Sequence, residues 1–328
     1  MNEGCQEESE RKKTRPPACP NFLLNMKKVF IQVPATSANC GPGFDTLGLA
    51  CNLYNEVSYE ITDKKGFQLE VEGEGADYLK PFGRNLAFAS FLRVWNAVTD
   101  GQRIGLKVKM LNRIPMSRGL GSSSSAIVAG LFAANALCDD HYTKDELLGI
   151  ATEIEGHPDN VAPALYGGFT ISYMEQEKAH SLRLLPAKPL KFIAVVPDSK
   201  LPTSLARQAI PKTVPHKDAV YNTSRASLLI GALLSGNYEY LGMALEDKLH
   251  QPYRAHLIPG LPDVFAAAKE AGAYNAIISG AGSTVMAYAS PEADCKRIAK
   301  AMVDVFAANN EHACYHILDL DTEGVKKV

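Results

Sequence analysis

The spacing of apolar and polar positions changes character at Lys27. Ahead of it, residues 1–25 mix charges of both signs with three prolines and follow neither a helical nor a strand period, which predicts a disordered or expression-derived extension before Met26. From Lys27 the stretches KKVFIQVPA, NEVSYEITD and FQLEVEGE alternate apolar and polar residues, the period-two signature of strands. The opening is therefore β-rich. Asn85–Thr99 then places apolar residues at helical spacing, Gly105–Leu111 alternates as a strand, and the Ala-rich stretch Ser122–Cys138 predicts a strong helix.

A helix over Lys144–Glu155 leads into GHPDNVAPALYGG, after which FTISYME and KFIAVVP read as strands on either side of a connector around Leu185–Lys191. A domain boundary is expected there, giving domains at 26–188 and 189–328. The second half predicts helices at Ser224–Leu234, near Tyr240–Leu249, at Val264–Ala271 and at Ala293–Ala308, and strands at Ala276–Ile278, Thr284–Tyr288 and Ala313–Leu318. Strands and helices mix without regular βαβ alternation, so the expected class is α+β. A length of 328 residues agrees with two ordinary domains, and no internal repeat appears.

Composition narrows the function by exclusion. The 34 basic and 36 acidic residues nearly cancel, to a formal charge of -2, so no global field gathers nucleic acid or anionic lipid, and any anion site must be local. Seven cysteines, without a CxxC pair or metal-ligand spacing, point to a reduced, cytoplasmic setting. No stretch approaches the roughly 18 apolar residues of a membrane span, and the charged N-terminus lacks the core of a signal peptide.

The candidate chemistry sits between a predicted strand and a predicted helix. There Pro115, Met116, Ser117, Arg118, Gly119, Leu120, Gly121, Ser122, Ser123, Ser124 and Ser125 form a Gly/Ser loop whose N–H groups can wrap a phosphate at a helix N-terminus. It is no Walker A loop, because no GK[ST] follows, and it lacks the third glycine of the dinucleotide fingerprint. Taken alone, such a loop equally describes serines capping a helix after a tight turn.

Three stretches in order carry a resemblance. PxxxGLGSS at 115–123 resembles the signature of the GHMP kinases, VPATSANCGPGFDTLGLA at 33–50 resembles their N-terminal substrate motif, and ISGAGSTVMAY at 278–288 resembles their C-terminal glycine loop. PATSANCGPGFD and EGHPDNVAPALYGG are similar to the homoserine kinase branch in particular. The sequence departs from the usual pattern at Ser283, Ser124, Ser125 and Cys40, without losing a charged or glycine position.

The resemblance implies a ribosomal-protein-S5-like N-terminal domain that binds ATP, a ferredoxin-like C-terminal domain, and transfer of the γ-phosphate to the hydroxyl of L-homoserine on the way to threonine. Phosphoryl transfer requires positioning and charge neutralisation more than covalent help. The implied Mg²⁺ ligands are Ser123 and Glu155, with Glu153 as the fallback carboxylate. A free amino acid needs an anion for its ammonium and a cation for its carboxylate, which the resemblance assigns to Asp45, Arg207 and Arg254, with Asn39, His157 and Asn160 beside them. Asp45, in what reads as a strand-to-helix turn, alternatively caps a helix, and Asn39 alternatively serves the turn.

Thr203 is expected near the transferred phosphate, and Gly280 and Gly282 are expected to let one backbone segment approach the phosphate loop or the substrate closely, or else to form a tight β-turn between two strands. The homoserine kinase branch is marked by an Asn, here Asn160, where other branches place an Asp, so no dedicated base is expected and Asp159 is read as structural. The rival readings are a GHMP kinase for another alcohol, such as mevalonate or a sugar, and a non-catalytic nucleotide-binding relative. A dehydrogenase fits poorly, because Asp139 and Asp140 end a helix instead of following a second strand. A homodimer is the default assembly for such an enzyme.

Overall fold

The computed structural model describes residues 26–79 and 85–328; the predicted N-terminal extension lies outside them. The chain opens on β1 (Lys28–Ala38) and β2 (Leu47–Thr62), which pair antiparallel from Lys28↔Glu60 to Ala38↔Gly48. The register slips once, between Pro34 and Ala35, where a residue without an N–H cannot continue the ladder. The turn between the two strands corrects one expectation: Asp45 leads into a strand, so the helix cap weighed for it does not exist.

β3 (Gly66–Gly73), α1 (Leu86–Val98) and β4 (Gly105–Asn112) follow, then α2 (Ser122–Leu137), α3 (Lys144–Glu155), α4 (Pro158–Tyr166), β5 (Phe169–Glu175) and β6 (Lys178–Leu184). The long β2 forks: its C-terminal half pairs with β4, and its first residues pair with β5. The helix α2 buries residues on nearly all sides, including Ile127, Ala129, Leu131 and Ala134, as an apolar-all-round helix must. It packs with α1, α3 and α4 over one face of the sheet, and Phe91, Trp95, Leu106 and Val108 fill the core between them.

Crossing to the second sheet, β7 (Lys191–Pro197), β8 (Asn275–Ile278), β9 (Val285–Ala289) and β10 (Ala313–Asp319) stand in the order β10-β7-β9-β8, all neighbours antiparallel. With helices between β7 and β8 and between β9 and β10, this is the ferredoxin-like βαββαβ order. The intervening helices are α5 (Thr203–Gln208), α6 (His216–Ser235), α7 (Leu241–Ala244), α8 (Gln251–Arg254), α9 (Leu261–Glu270) and α10 (Cys295–Ala308). The short β11 (Lys326–Lys327) returns to pair with β1.

Alternation along β7 builds two cores. Ile193 and Val195 face α9 and α10. Phe192, Ala194 and Val196 face Leu49, Phe169 and Leu229, in a cluster shared by both sheets and α6. The architecture is the two-domain α+β fold expected, joined through that cluster.

Three differences from the predicted elements have local causes. β6 was missed because KAHSLRL is polar and its hairpin with β5 turns on Gln176 and Glu177, both left-handed, in place of an Asn-Gly pair. α6 begins at His216, well ahead of the predicted Ser224, because HKDAVYNT carries few apolar residues. The helix predicted near Tyr240–Leu249 stops at Ala244: beyond it, the carboxylate of Asp247 takes the N–H groups of Leu249, His250 and Gln251, and Asn222 takes that of Lys248. Side-chain acceptors here replace the helical ladder.

Candidate active site

A cavity of about 540 Å³ opens between the two halves of the molecule. One wall is the β4–α2 loop, and Pro115, Met116, Ser117, Gly119, Leu120, Gly121, Ser122 and Ser123 line it. Gly121, at φ 70°, precedes α2 with no side chain capping the helix. The first N–H groups of a helix have no partner inside it, so they remain free for an anion, and the aligned peptide dipoles favour one. Serines that merely cap the helix are thereby set aside.

The loop is held by the second sheet. A Cβ at Gly119 would lie 2.1 Å from the carbonyl of Ser279, so only glycine permits this approach. Ser279 donates from its hydroxyl to the Gly119 carbonyl, and the N–H of Thr284 donates to that of Arg118. Gly280 lines the cavity; Gly282 stands off it, but its backbone closes on the loop, since a Cβ at Gly119 would lie 3.0 Å from both its N and its O.

The side chains of three loop residues are engaged away from the cavity. Arg118 points away, donating to the carbonyls of Met116, Pro197 and Asp198. Ser124 is fully buried and donates to Glu155, and Ser125 is buried beside the Asn55 amide.

Glu155 is the last residue of α3, whose N-terminus carries a complete Thr143–Glu146 capping box. Gly156, at φ 93°, turns the chain there and leaves the carboxylate facing α2. Its Oε2 accepts from Ser123 at 3.0 Å and its Oε1 from Ser124 at 2.8 Å. The fallback Glu153 instead points outward to Arg93. Among the described residues no group of three or more His, Cys, Asp or Glu could cage a metal. A hydroxyl and a carboxylate at the mouth of an anion site fit Mg²⁺, which keeps waters and borrows phosphate oxygens.

The far end of the cavity is built on the β1–β2 turn, where Asn39, Cys40, Gly41 and Asp45 all have positive φ. Asn39 lines the cavity, yet its amide braces the turn, donating to Gly280 and accepting from the N–H of Asp45. Asp45 and Arg207 form a two-pronged ion pair at 2.8 and 3.0 Å, each partly exposed. The hydrogen bonds that Arg207 donates to Asp45 raise its pKa against burial.

Arg254 is only 2 % exposed, and burial with Arg207 nearby pushes its pKa down to about 10. Both guanidiniums lie over the Phe44 ring, at 5.6 and 5.3 Å from its centroid. Thr203, at the start of α5, also lines the cavity.

His157 and Asp159 pair at 2.5 Å. Burial works to lower the His157 pKa, but the Asp159 hydrogen bond and charge outweigh it and raise the value. Asn160 lines the cavity, and its Oδ1 accepts from the buried Thr36 hydroxyl at 2.8 Å, leaving the Nδ2 group as the free edge. α4 reaches this position because a Cβ on Gly48 would lie 2.0 Å from the Asp159 carbonyl. Sequence reasoning missed Thr36, Phe44 and His250. Phe44 carried a signal, an aromatic inside a Gly-Pro-Gly turn with no strand or helix to bury it. Thr36 and His250 carried none beyond neighbouring a motif.

Comparisons with known proteins agree with this geometry. The family model for the GHMP kinases N terminal domain matches residues 85–168, and that for the GHMP kinases C terminal domain matches residues 229–308. A homoserine kinase from Carboxydothermus hydrogenoformans is 44% identical over 278 residues, which are 85% of this chain and 90% of that protein. One from Desulfitobacterium hafniense is 41% identical, covering 90% and 98%. The crystal structure of homoserine kinase from Cytophaga hutchinsonii superposes with a TM-score of 0.84 at 30% identity, covering 94% of this chain and 100% of that one. With both halves matched and the likeness running nearly end to end, the chain belongs to the GHMP kinase family and, within it, to the homoserine kinases.

Proposed function

We propose that this chain transfers the γ-phosphoryl group of ATP to the hydroxyl of L-homoserine, giving O-phospho-L-homoserine and ADP, a step toward threonine. The observation that carries the reading is the pairing, within one cavity, of an uncapped helix N-terminus with a carboxylate and two guanidiniums at the opposite end. The first matches a nucleotide phosphate. The second matches an amino acid that bears an ammonium and a carboxylate. A neutral sugar offers neither an ammonium for Asp45 nor a carboxylate for the guanidiniums.

In this reading the loop N–H groups hold the β- and γ-phosphates, and Asp45 and Arg207 exchange their mutual pair for the two ends of the zwitterion. Arg254 adds a second cation for the carboxylate. Ser123 and Glu155 would hold Mg²⁺, which when bound offsets phosphate charge during transfer. The Nδ2 group of Asn160 donates toward the acceptor hydroxyl, and Thr203 sits where charge develops on the transferred group. Asp159 is already engaged by His157, so the hydroxyl attacks in line without a dedicated base, the γ-phosphorus parting from the bridging oxygen of ADP as the hydroxyl proton passes to a phosphoryl oxygen or to water. A reducing, cytoplasmic setting goes with free thiols such as the exposed Cys314.

An ADP-release assay with Mg-ATP and L-homoserine, D-homoserine, serine or mevalonate tests the reading. L-homoserine is expected to exceed each of the others in kcat/KM by about a hundredfold or more. Absence of turnover with L-homoserine would overturn it.

A further inference from the structure

Arg254 is buried in the cavity wall, and three groups fix its orientation. Its Nε donates to the carbonyl of Ala206 at 3.1 Å. Its Nη1 donates to the carbonyl of Gly280 at 3.0 Å and meets Nδ1 of His250 at 3.2 Å. His250 is fully buried, against the Phe44 ring, and its Nε2 lies 2.7 Å from the carbonyl of Gly41.

These contacts determine the protonation of a ring whose hydrogens are otherwise ambiguous. A carbonyl can only accept, so Nε2 carries the proton. A guanidinium can only donate, so Nδ1 presents its lone pair. Both demands are met by one neutral tautomer and by no other state.

We propose that His250, as the Nε2–H tautomer, is a positioning residue for this kinase: it ties the Arg254 guanidinium to the Gly41 turn so that the remaining N–H edge faces the carboxylate of the amino-acid substrate. The inference rests on Arg254 being a carboxylate ligand, as read above. It assigns the fully buried histidine of Asp247-Lys-Leu-His250 a role in setting the affinity for the acceptor and not for ATP.

Every charged group facing the ring bears on how it responds to pH. The Asp247 carboxylate lies 3.6 Å from Nε2, but its oxygens already accept from the N–H groups of Leu249, His250 and Gln251 and from the Asn222 amide. Arg254 opposes a second positive charge, and Asp45, farther off, favours it weakly. Burial prevails and holds the His250 pKa below the ordinary 6.5. Near neutral pH the acceptor lone pair is therefore present. Acid removes it and sets a cation 3.2 Å from Arg254, which displaces the guanidinium.

The experiment is steady-state kinetics of the full chain from mildly acidic to mildly alkaline pH, with homoserine varied at saturating Mg-ATP and ATP varied at saturating homoserine. His250→Phe keeps an aromatic ring but neither hydrogen bond; it is expected to raise the homoserine KM by about tenfold while kcat and the ATP KM change less than about threefold. His250→Gln supplies both a donor and an acceptor but cannot titrate. It is expected to restore most of the homoserine KM near neutral pH and to lose the acid fall in kcat/KM for homoserine that is expected of the unaltered protein.

An unchanged homoserine KM in His250→Phe, an equal rise in the ATP KM, or an acid fall that persists in His250→Gln would each overturn the proposal. If His250→Phe does not fold, the pH profile of His250→Gln decides alone. Arg254→Gln, measured in parallel, separates the two readings. If it leaves the homoserine KM unaltered, the assignment of Arg254 has failed, whereas a large rise there with no effect at His250 defeats the positioning role alone.

Discussion

At the scale of single residues, the site is a set of charges that already answer one another. Asp45 and Arg207 satisfy each other in two hydrogen bonds, and a zwitterion can replace both at once, so binding need not strand either charge. The same bookkeeping bears on the acceptor's proton. Asp159, although at the cavity, is 2 % exposed and committed to His157. Asp159→Asn should lower kcat by less than about tenfold; a loss near a thousandfold in a steady-state assay would identify Asp159 as an essential base. Sequence motifs marked Asp45, Glu155, Asn160, Arg207 and Arg254, all of which line the cavity. They could not show that Arg118 points out of it or that Asn39 is engaged within the turn, because both facts depend on carbonyls distant in the chain.

Element termini set the site's geometry. The N-terminus of α2, the C-terminus of α3 and the start of α4 converge because glycines allow backbones to approach within distances no side chain tolerates. Gly119→Ala should therefore disturb both fold and function. Its left-handed φ and the clash with the Ser279 carbonyl predict a loss of about 1–3 kcal/mol in denaturant unfolding and a rise of about tenfold in the ATP KM as the loop shifts. An unchanged ATP KM would show that the loop tolerates displacement. Periodicity located most elements of the fold, α3 to the residue, since strands with one buried face and amphipathic helices announce themselves. It failed at β6 and at the start of α6, where the segments are polar, and at Tyr240–Leu249, where Asp247 and Asn222 outcompete the helix.

For the whole molecule, the cluster around Phe192 makes the two sheets interdependent. Phe192 is fully buried and touches Phe169 of the first sheet and Tyr288 of the second. Phe192→Ala should cost about 3–5 kcal/mol, and chemical denaturation should still show one transition for both halves. Two separated transitions would mean that the halves unfold independently. The sequence alone determined most of the elements, the α+β class and the residue types present: a Gly/Ser loop, hydroxyls and carboxylates, and charges of both signs. These are legible because propensity, periodicity and short motifs are local. Only the tertiary structure decided which side chains face the cavity, that Glu155 and not Glu153 meets Ser123, and that His250 must be neutral with its proton on Nε2. Those outcomes hang on partners far apart in the chain, such as Gly41 for His250 and Ser279 for Gly119, and no local pattern records which distant carbonyl a folded backbone will bring within hydrogen-bonding reach.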